Sequence, residues 1–421
     1  MNAEIICVGT ELLLGNIVNT NARDLSVMLS ELGINVYWHS VVGDNPERLT
    51  ETLEIAKKRA GLIITTGGLG PTCDDLTKQT VARSFGLELY FDERAERELE
   101  EFFRTRQGRP MTDNNRQQAY LPVGCTPFYN TCGTAPGCAF FAQGTHVLIL
   151  PGPPRECLTM MRVSGIDYLR SLSDEQIDSH NIHIFGMGES YVESLLRERM
   201  NELTNPTLAP YAQEGEVRLR VTAKARDRDE AERMMSPVID EVRGVLGDVV
   251  YGVDTGTLEN TVFGLLKEQG KTLAAAESCT GGLIAKRVTD IPGSSAVFRG
   301  GVTVYTDEAK MLLLGVDGEV LRSEGAVSRE VAAQLAEKAR GKLGADFGVG
   351  VTGVAGPDSD GVHEVGTVFV SLCDGERTFV RALRLSPLSG RARIRTLAAN
   401  EALDMLRRSL TGLEVENTEK F

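Results

Sequence analysis

Two stretches of the sequence combine reactive side chains with glycines in a way that suits chemistry on a small carbonyl or phosphate substrate. The first, A-A-A-E-S-C-T-G-G (Ala274–Gly282), sets Ser278 and Cys279 side by side ahead of Gly281 and Gly282. Thr272–Ala276 reads as a strand and Leu283–Thr289 as a helix, so the two nucleophiles fall on a strand-to-helix turn. N–H groups at a helix start favour negative charge, whether a phosphate or a developing oxyanion. An oxyanion hole can remove roughly 3–4 kcal/mol from a barrier. The alternative is that Ser278 only caps the helix that follows.

A nucleophilic serine needs a base. The same segment offers only one histidine, His363, a poor basis for a Ser-His-Asp triad. It does offer V-T-V-Y-T-D-E-A-K-M-L-L-L-G (Val302–Gly315), with a strand end at Val302–Tyr305, a helix capped by Thr306 or Asp307, and a stop at Gly315. Lys310 projects from the first turn of that helix. A lysine partly desolvated beside a tyrosine can lose its proton and act as a base, a known variant of the serine triad. A simple surface lysine is the other reading of Lys310.

The second stretch, L-I-I-T-T-G-G-L-G-P-T-C-D-D-L-T-K, joins a strand to a helix through Gly67, Gly68 and Gly70. No lysine follows the last glycine, so it is not a Walker loop, and Cys73 stands where G-x-G-x-x-G would need its last glycine. Backbone N–H groups before a helix can still cradle phosphate, and Asp74 and Asp75 can hold a hard divalent cation. Adjacent aspartates at a helix start are also favourable without any ligand.

These stretches must be held by an α/β framework. In residues 1–170, strands at Ile5–Val8, Asn35–Val41 and Gly61–Thr66 alternate with helices at Asn21–Leu32, Glu47–Arg59 and Asp75–Phe85, which implies a mostly parallel sheet. Glu93–Arg106 reads as a charged surface helix, and Ala139–Phe141 with Val147–Leu150 as a hairpin around Gln143-Gly144. Residues 178–253 read β-α-β-β-α-β, a small split α/β sandwich, with no catalytic constellation and a spacer or dimerisation role. Gly252–Gly256 reads as a linker. Residues 255–412 are α/β again, ending in a helix near Ile394–Leu406, and the tail after Gly412 is polar and expected to fray.

Composition narrows the function classes. Eight cysteines form no C-x-x-C pair, and Cys125, Cys132 and Cys138 have no histidine at zinc-finger spacing, so reduced, mostly buried thiols are expected. No apolar run is long enough to span a bilayer and no basic leader opens the chain, which places the protein in the cytoplasm. A net charge of −14 with no basic run speaks against direct nucleic-acid contact.

Five C-terminal motifs, A-E-S-C-T-G-G, V-Y-T-D-E-A-K, V-T-G-V-A-G-P, E-V-G-T-V and G-R-A-R-I-R-T, recur in the order seen in the CinA family and resemble its nicotinamide mononucleotide (NMN) amidohydrolase domain. The resemblance implies that Ser278 attacks the nicotinamide carboxamide without a cofactor, assisted by Tyr305 and Lys310, with Cys279 packed away or lining the pocket. Under it, the Gly281-Gly282 turn and Thr352, Gly353 and Gly356 offer donors to the amide or sugar, and Arg391 and Arg395 hold the 5′-phosphate. Glu364 stands where relatives usually carry proline. The loop Thr66, Gly67, Gly68, Gly70, Pro71 and Thr72, with V-G-T-E-L-L-L-G, V-N-T-N, V-V-G-D-N and L-P-G-P-P-R-E, resembles the family's N-terminal domain, which shares its fold with molybdopterin-binding proteins. That resemblance implies hydrolysis of ADP-ribose to AMP and ribose 5-phosphate with a divalent metal ion (Mg, Mn or Co) held by Asp74, Asp75, Asp44 and Glu11. The family's middle domain is KH-like, but no G-x-x-G loop between helices supports RNA binding. A homodimer is implied by resemblance alone. The rival readings are a molybdopterin or nucleotide carrier with silent domains, a DNA-uptake factor, and decay of one domain into a regulatory module.

Overall fold

Uninterrupted apolar runs become the central strands, because a parallel strand covered on both faces buries every side chain. The computed structural model describes residues 1–72, 74–107, 110–172, 176–213, 215–415 and 419–420. Cys73 and part of the expected fraying tail (416–418 and 421) lie outside the described residues. Asn2–Val8, Leu62–Thr66 and Thr145–Leu150 are almost wholly buried, whereas the edge strand Asn35–Val42 alternates. The sheet runs Asn35–Val42, Asn2–Val8, Leu62–Thr66, Thr145–Leu150, Gly137–Ala142, Thr126–Phe128. Its first four strands are parallel and its last two antiparallel. Alternate residues feed two cores: Ile5 packs with Leu25 and Leu29, while Ile6 packs with Leu53 and Val81. The helices Thr20–Glu31, Pro46–Ala56 and Thr77–Ser84 cover the two faces. The alternating strand-helix order read from the sequence is the observed one.

The middle segment is also β-α-β-β-α-β, with strand order Thr207–Gln213, Glu216–Ala225, Gln176–Ile184, Val250–Val253. The stretch expected as a linker is tied down instead. Gly252 and Val253 pair with His183 and Ile182, and the Asp254 N–H donates to the Asn181 carbonyl at 2.8 Å. The Asp254 carboxylate accepts the Asn181 N–H at 2.8 Å and meets His180 Nδ1 at 2.5 Å. A linker reading rests on glycine content, which says nothing of these strand-end bonds.

The third sheet runs Phe298–Thr303, Leu273–Glu277, Phe347–Gly353, Thr367–Cys373, Thr378–Arg384, Glu419–Lys420. Its first three strands are parallel, so the loops leaving Leu273–Glu277 and Phe347–Gly353 emerge side by side. Ala275 faces a core shared with Leu258, Val349 and Ile394, and Ala274 and Ala276 face one shared with Leu335 and Ala339. Gly348 and Gly350 let the helix Arg329–Leu343 lie directly on the sheet: a Cβ at either would stand 2.1 Å from the Ala336 carbonyl or 2.6 Å from the Ala332 carbonyl. Phe185 and Tyr251 of the middle segment belong to the same core as Leu258, Ile394 and Leu406. The chain thus forms two compact units, Met1–Asp178 with Ala223–Glu232 and Ser179–Thr222 with Arg233–Phe421. No described helix is long and apolar enough to cross a membrane.

The second unit contains a buried ion network. Arg381 pairs with Glu401 at 2.6 Å, Arg407 pairs with Asp404 at 2.7 Å, and Arg407 Nη2 donates to the Asp248 carbonyl at 3.0 Å. All four side chains are buried. Arg381 also reaches Asp404 at 3.8 Å, but removing Glu401 takes away the shorter ion pair and leaves the buried positive charge less well compensated, so Glu401→Ala is expected to cost about 3 kcal/mol in chemical denaturation.

Candidate functional site

The turn after Leu273–Glu277 is shaped by main-chain bonds and two left-handed glycines. The Ser278 N–H donates to the Val351 carbonyl at 2.9 Å and the Gly281 N–H to the Ser278 carbonyl at 3.0 Å. Gly281 and Gly282 have φ of 61° and 90°, where a Cβ is strained. Cys279 turns into the apolar core, and burial pushes its thiol up to about 12. A protonated, buried thiol is no nucleophile at neutral pH.

The helix start expected to receive an anion is already occupied. The Glu277 carboxyl accepts the N–H groups of Ile284 at 3.0 Å and Ala285 at 2.9 Å, and Gly282, not Ser278, is the residue that precedes the helix Leu283–Thr289. Neither reading of this turn gave Glu277 a role. Its signal was an acidic residue just ahead of two glycines and a helix.

Arg391 and Arg395 lie one turn apart on the helix Gly390–Leu410, which begins earlier than the sequence implied. Arg395 donates from Nε and Nη2 to the Thr280 carbonyl at 3.3 and 2.6 Å. Arg391 donates to the Gly356 carbonyl at 2.6 Å and to the Tyr305 hydroxyl at 2.8 Å. The two guanidinium groups therefore gather the serine turn, Tyr305 and the V-T-G-V-A-G-P loop into one place. Each carries five N–H groups and these bonds use two, so both can still meet an anion.

Other expected residues act differently. The Thr352 hydroxyl is buried and donates to the Ala326 carbonyl at 2.7 Å, so it is not presented to a ligand. Gly353 and Gly356 are small because Val368 and Val365 press against them: a Cβ would lie 2.7 Å from Val368 Cα and 2.8 Å from Val365 Cγ1. Thr306 caps its helix by accepting the Ala309 N–H at 3.2 Å. Lys310 is only 2% exposed, which a surface lysine would not be, and its ammonium donates to Asp307 at 3.4 Å. Among the described residues no hydrogen bond joins Ser278 to Lys310 or Tyr305. Glu364 is exposed.

In the first unit, a cleft of about 540 Å³ is lined by Gly67, Gly68, Gly70, Thr72, Asp74 and Asp75, and also by Glu11 and Asp44 from neighbouring loops. Gly67 and Gly68 have φ of 107° and 65°, and a Cβ would lie 2.0 Å from the Val8 carbonyl and 2.1 Å from Thr77 Oγ1. One oxygen of Asp75 accepts the Thr72 N–H and hydroxyl at 2.9 and 2.6 Å. One oxygen of Asp44 likewise accepts the Thr10 N–H and hydroxyl at 2.9 and 2.8 Å. Thr66, expected at the ligand, faces inward: its hydroxyl donates to the Pro151 carbonyl at 2.7 Å and accepts from Asn21 at 2.9 Å. Pro71 does not line the cleft, and its carbonyl accepts from Asn114 at 3.3 Å.

Sequence reasoning missed Gln118, Thr134 and Glu156 on the cleft wall. Glu156 lies in the L-P-G-P-P-R-E motif, and burial raises its carboxyl above the usual carboxylate range. Five carboxylates and no lysine or arginine line this cleft among the described residues. Their oxygens are the donors a hard cation prefers, although no three acidic, His or Cys side chains are clustered to hold one among the described residues. Magnesium is commonly held by one or two carboxylates together with ligand phosphates, so the donor set fits.

The burial of Cys279 has a direct readout. At pH 8, far below about 12, its thiol is expected to resist iodoacetamide in the folded protein and to be alkylated once denatured, as followed by peptide mass spectrometry. Alkylation of native Cys279 as fast as that of Cys132 would contradict the placement.

Three family descriptions match in tandem: a probable molybdopterin binding domain over residues 4–171, a damage-inducible protein CinA KH domain over 179–252, and a CinA C-terminal domain over 255–410. A CinA-like protein of Desulfovibrio desulfuricans is 47% identical over 99% of this chain and 98% of its own. One of Dictyoglomus turgidum is 44% identical over 98% of this chain and all of its own. A solved structure described as the protein CinA with unknown function, from Thermoplasma acidophilum, is 34% identical over 40% of this chain and 98% of its own, with a TM-score of 0.37.

Proposed function

Because the chain belongs to the CinA family, we propose that it hydrolyses two pyridine-nucleotide by-products: NMN at its C-terminal site and ADP-ribose in its N-terminal cleft. The observation that carries the first assignment is the gathering of the Ser278 turn, Tyr305 and the Gly356 loop by Arg391 and Arg395. A serine beside two partly committed guanidinium groups suits a substrate with a scissile carbonyl and a phosphate.

In this reading, Ser278 Oγ attacks the carboxamide carbon and its proton passes to Lys310, directly or through Tyr305. Collapse of the tetrahedral intermediate expels ammonia as the proton returns to the leaving nitrogen. Water then cleaves the acyl-serine to give nicotinic acid mononucleotide. Lys310 must exchange Asp307 for the serine and enter this step as the neutral amine, and catalytic hydrogen bonds often form only with substrate in place.

The N-terminal assignment rests on the charge of the cleft. A pyrophosphate among five carboxylates, with no basic side chain among the described lining residues, is repelled unless a cation accompanies it. Glu11, Asp44, Asp74 and Asp75 would hold a divalent ion (Mg, Mn or Co), which supplies positive charge against the phosphates. The N–H groups around Gly67, Gly68 and Gly70 would hold the phosphate oxygens. A second reading of this unit alone, a nucleotide or pterin carrier that does not cleave, is favoured by the absence of a preassembled three-carboxylate cluster among the described residues. A homodimer is part of the proposal, and sedimentation of the purified chain tests it.

Ammonia release from NMN is expected to persist in EDTA, to fall at least about a thousandfold in Ser278→Ala, and to survive Cys279→Ala. Conversion of ADP-ribose to AMP is expected to stop in EDTA and return with added Mg, Mn or Co. Tight binding of ADP-ribose with no AMP under any metal would establish the carrier reading for the first unit. No ammonia from folded wild type would end the amidohydrolase assignment.

A further inference from the structure

We infer that Glu277 is the positioning residue of the C-terminal site, holding the Ser278 hydroxyl in register with the groups that serve it; the inference rests on Ser278 being the nucleophile. Glu277 is 1% exposed, and its carboxyl is bonded to two main-chain N–H groups and, among the described residues, pairs with no cation. Burying a carboxyl in this way is costly, so its bonds to the turn must do something a cheaper side chain would not.

Each carboxyl oxygen takes one N–H: Oε2 from Ile284 and Oε1 from Ala285. These bonds span the whole S-C-T-G-G turn and fix its far end to the residue before Ser278. The Glu277 carbonyl accepts the Val304 N–H at 2.8 Å, setting the strand end one residue ahead of Tyr305. The next N–H, that of Ser278, is fixed to the Val351 carbonyl, one residue ahead of Thr352. Three segments of the site are thus referenced to two consecutive residues. The carboxyl also takes up the helix-start donors, leaving charge on a substrate to be met by the turn and by Arg391 and Arg395.

A glutamine cannot reproduce this pattern. Its oxygen can accept one N–H, but its NH₂ would face the other donor to donor. The turn would then shift while the surrounding core stays intact. Aspartate keeps both acceptors on a stem shorter by one methylene.

The test compares wild type, Glu277→Gln and Glu277→Asp as full chains. Three quantities are read: ammonia release from NMN, thermal melting, and the rate at which a fluorophosphonate probe labels Ser278. In that labelling the Oγ–P bond forms, fluoride leaves and the hydroxyl proton passes to the base. Glu277→Gln is expected to lower kcat on the order of 100-fold, with KM and melting nearly unchanged and the labelling rate reduced in step. Glu277→Asp is expected to recover part of both rates. Wild-type kcat and labelling in Glu277→Gln would overturn the inference. So would a loss confined to the fraction of chains labelled, with the rest reacting at the wild-type rate, because that is what a purely structural role predicts. If wild type is labelled at Ser278 yet releases no ammonia, the NMN assignment fails and the labelling rates alone decide the role of Glu277. Wild type that is neither labelled nor active overturns both.

Discussion

Backbone groups at the end of a parallel strand must find partners, and this chain satisfies them across to the neighbouring strand end one residue past the regular ladder. The Gly9 N–H meets the Val42 carbonyl, Gly67 meets Leu150, Ser278 meets Val351, and Val304 meets Glu277. Each bond sets the first residue of one loop beside the neighbouring strand, at that strand's last residue for Val42, Leu150 and Glu277 and two residues short of the end of Phe347–Gly353 for Val351. Both candidate sites arise from this single requirement. The glycine loop lies against Val8 and Gly152, and the serine turn lies beside the Tyr305 and Thr352 segments, because their strands are parallel neighbours with matched ends. The side chains then add a second layer: aspartates and threonines stiffen the first unit's loops, and arginines stiffen the second's.

The sequence made the framework and the placement of both loops legible, because apolar runs and glycines carry local information. Leu283–Thr289 has the bounds read from the sequence. What stayed hidden was pairing between distant segments. Arg391 and Arg395 resemble idle phosphate binders until their bonds to Tyr305 and Thr280, 86 and 115 residues away, are known. Thr66 and Thr352 sit beside glycines in motifs, yet both hydroxyls donate to carbonyls inside the fold. A hydroxyl on a strand end points to one face or the other, and only the neighbouring chain decides which. Glu277 was missed for a related reason: a carboxyl next to a nucleophile invites a catalytic role, whereas its partners are the main chain of the following helix.

The two sites handle negative charge in opposite ways. The C-terminal site supplies fixed cations, two guanidinium groups that are already oriented by the protein and so lose little freedom on meeting an anion. The N-terminal cleft supplies carboxylates and main-chain donors, so the N–H groups are its own share of any attraction for phosphate, set against five carboxylates. This difference is set within a chain whose net charge is uniformly unfavourable to anions.

Three family segments do not make three folding units. Phe185 and Tyr251 share a core with the C-terminal helices, Asp254 is bonded back to Asn181, and Arg407 reaches the Asp248 carbonyl. Melting Ser179–Thr222 and the part of the middle segment after Glu232 would open that shared core, so those parts and the last segment should lose structure together. A calorimetric scan of the whole chain would then resolve two heat-absorption peaks, and a protease given time at the lower one would release one large resistant fragment in place of two small ones.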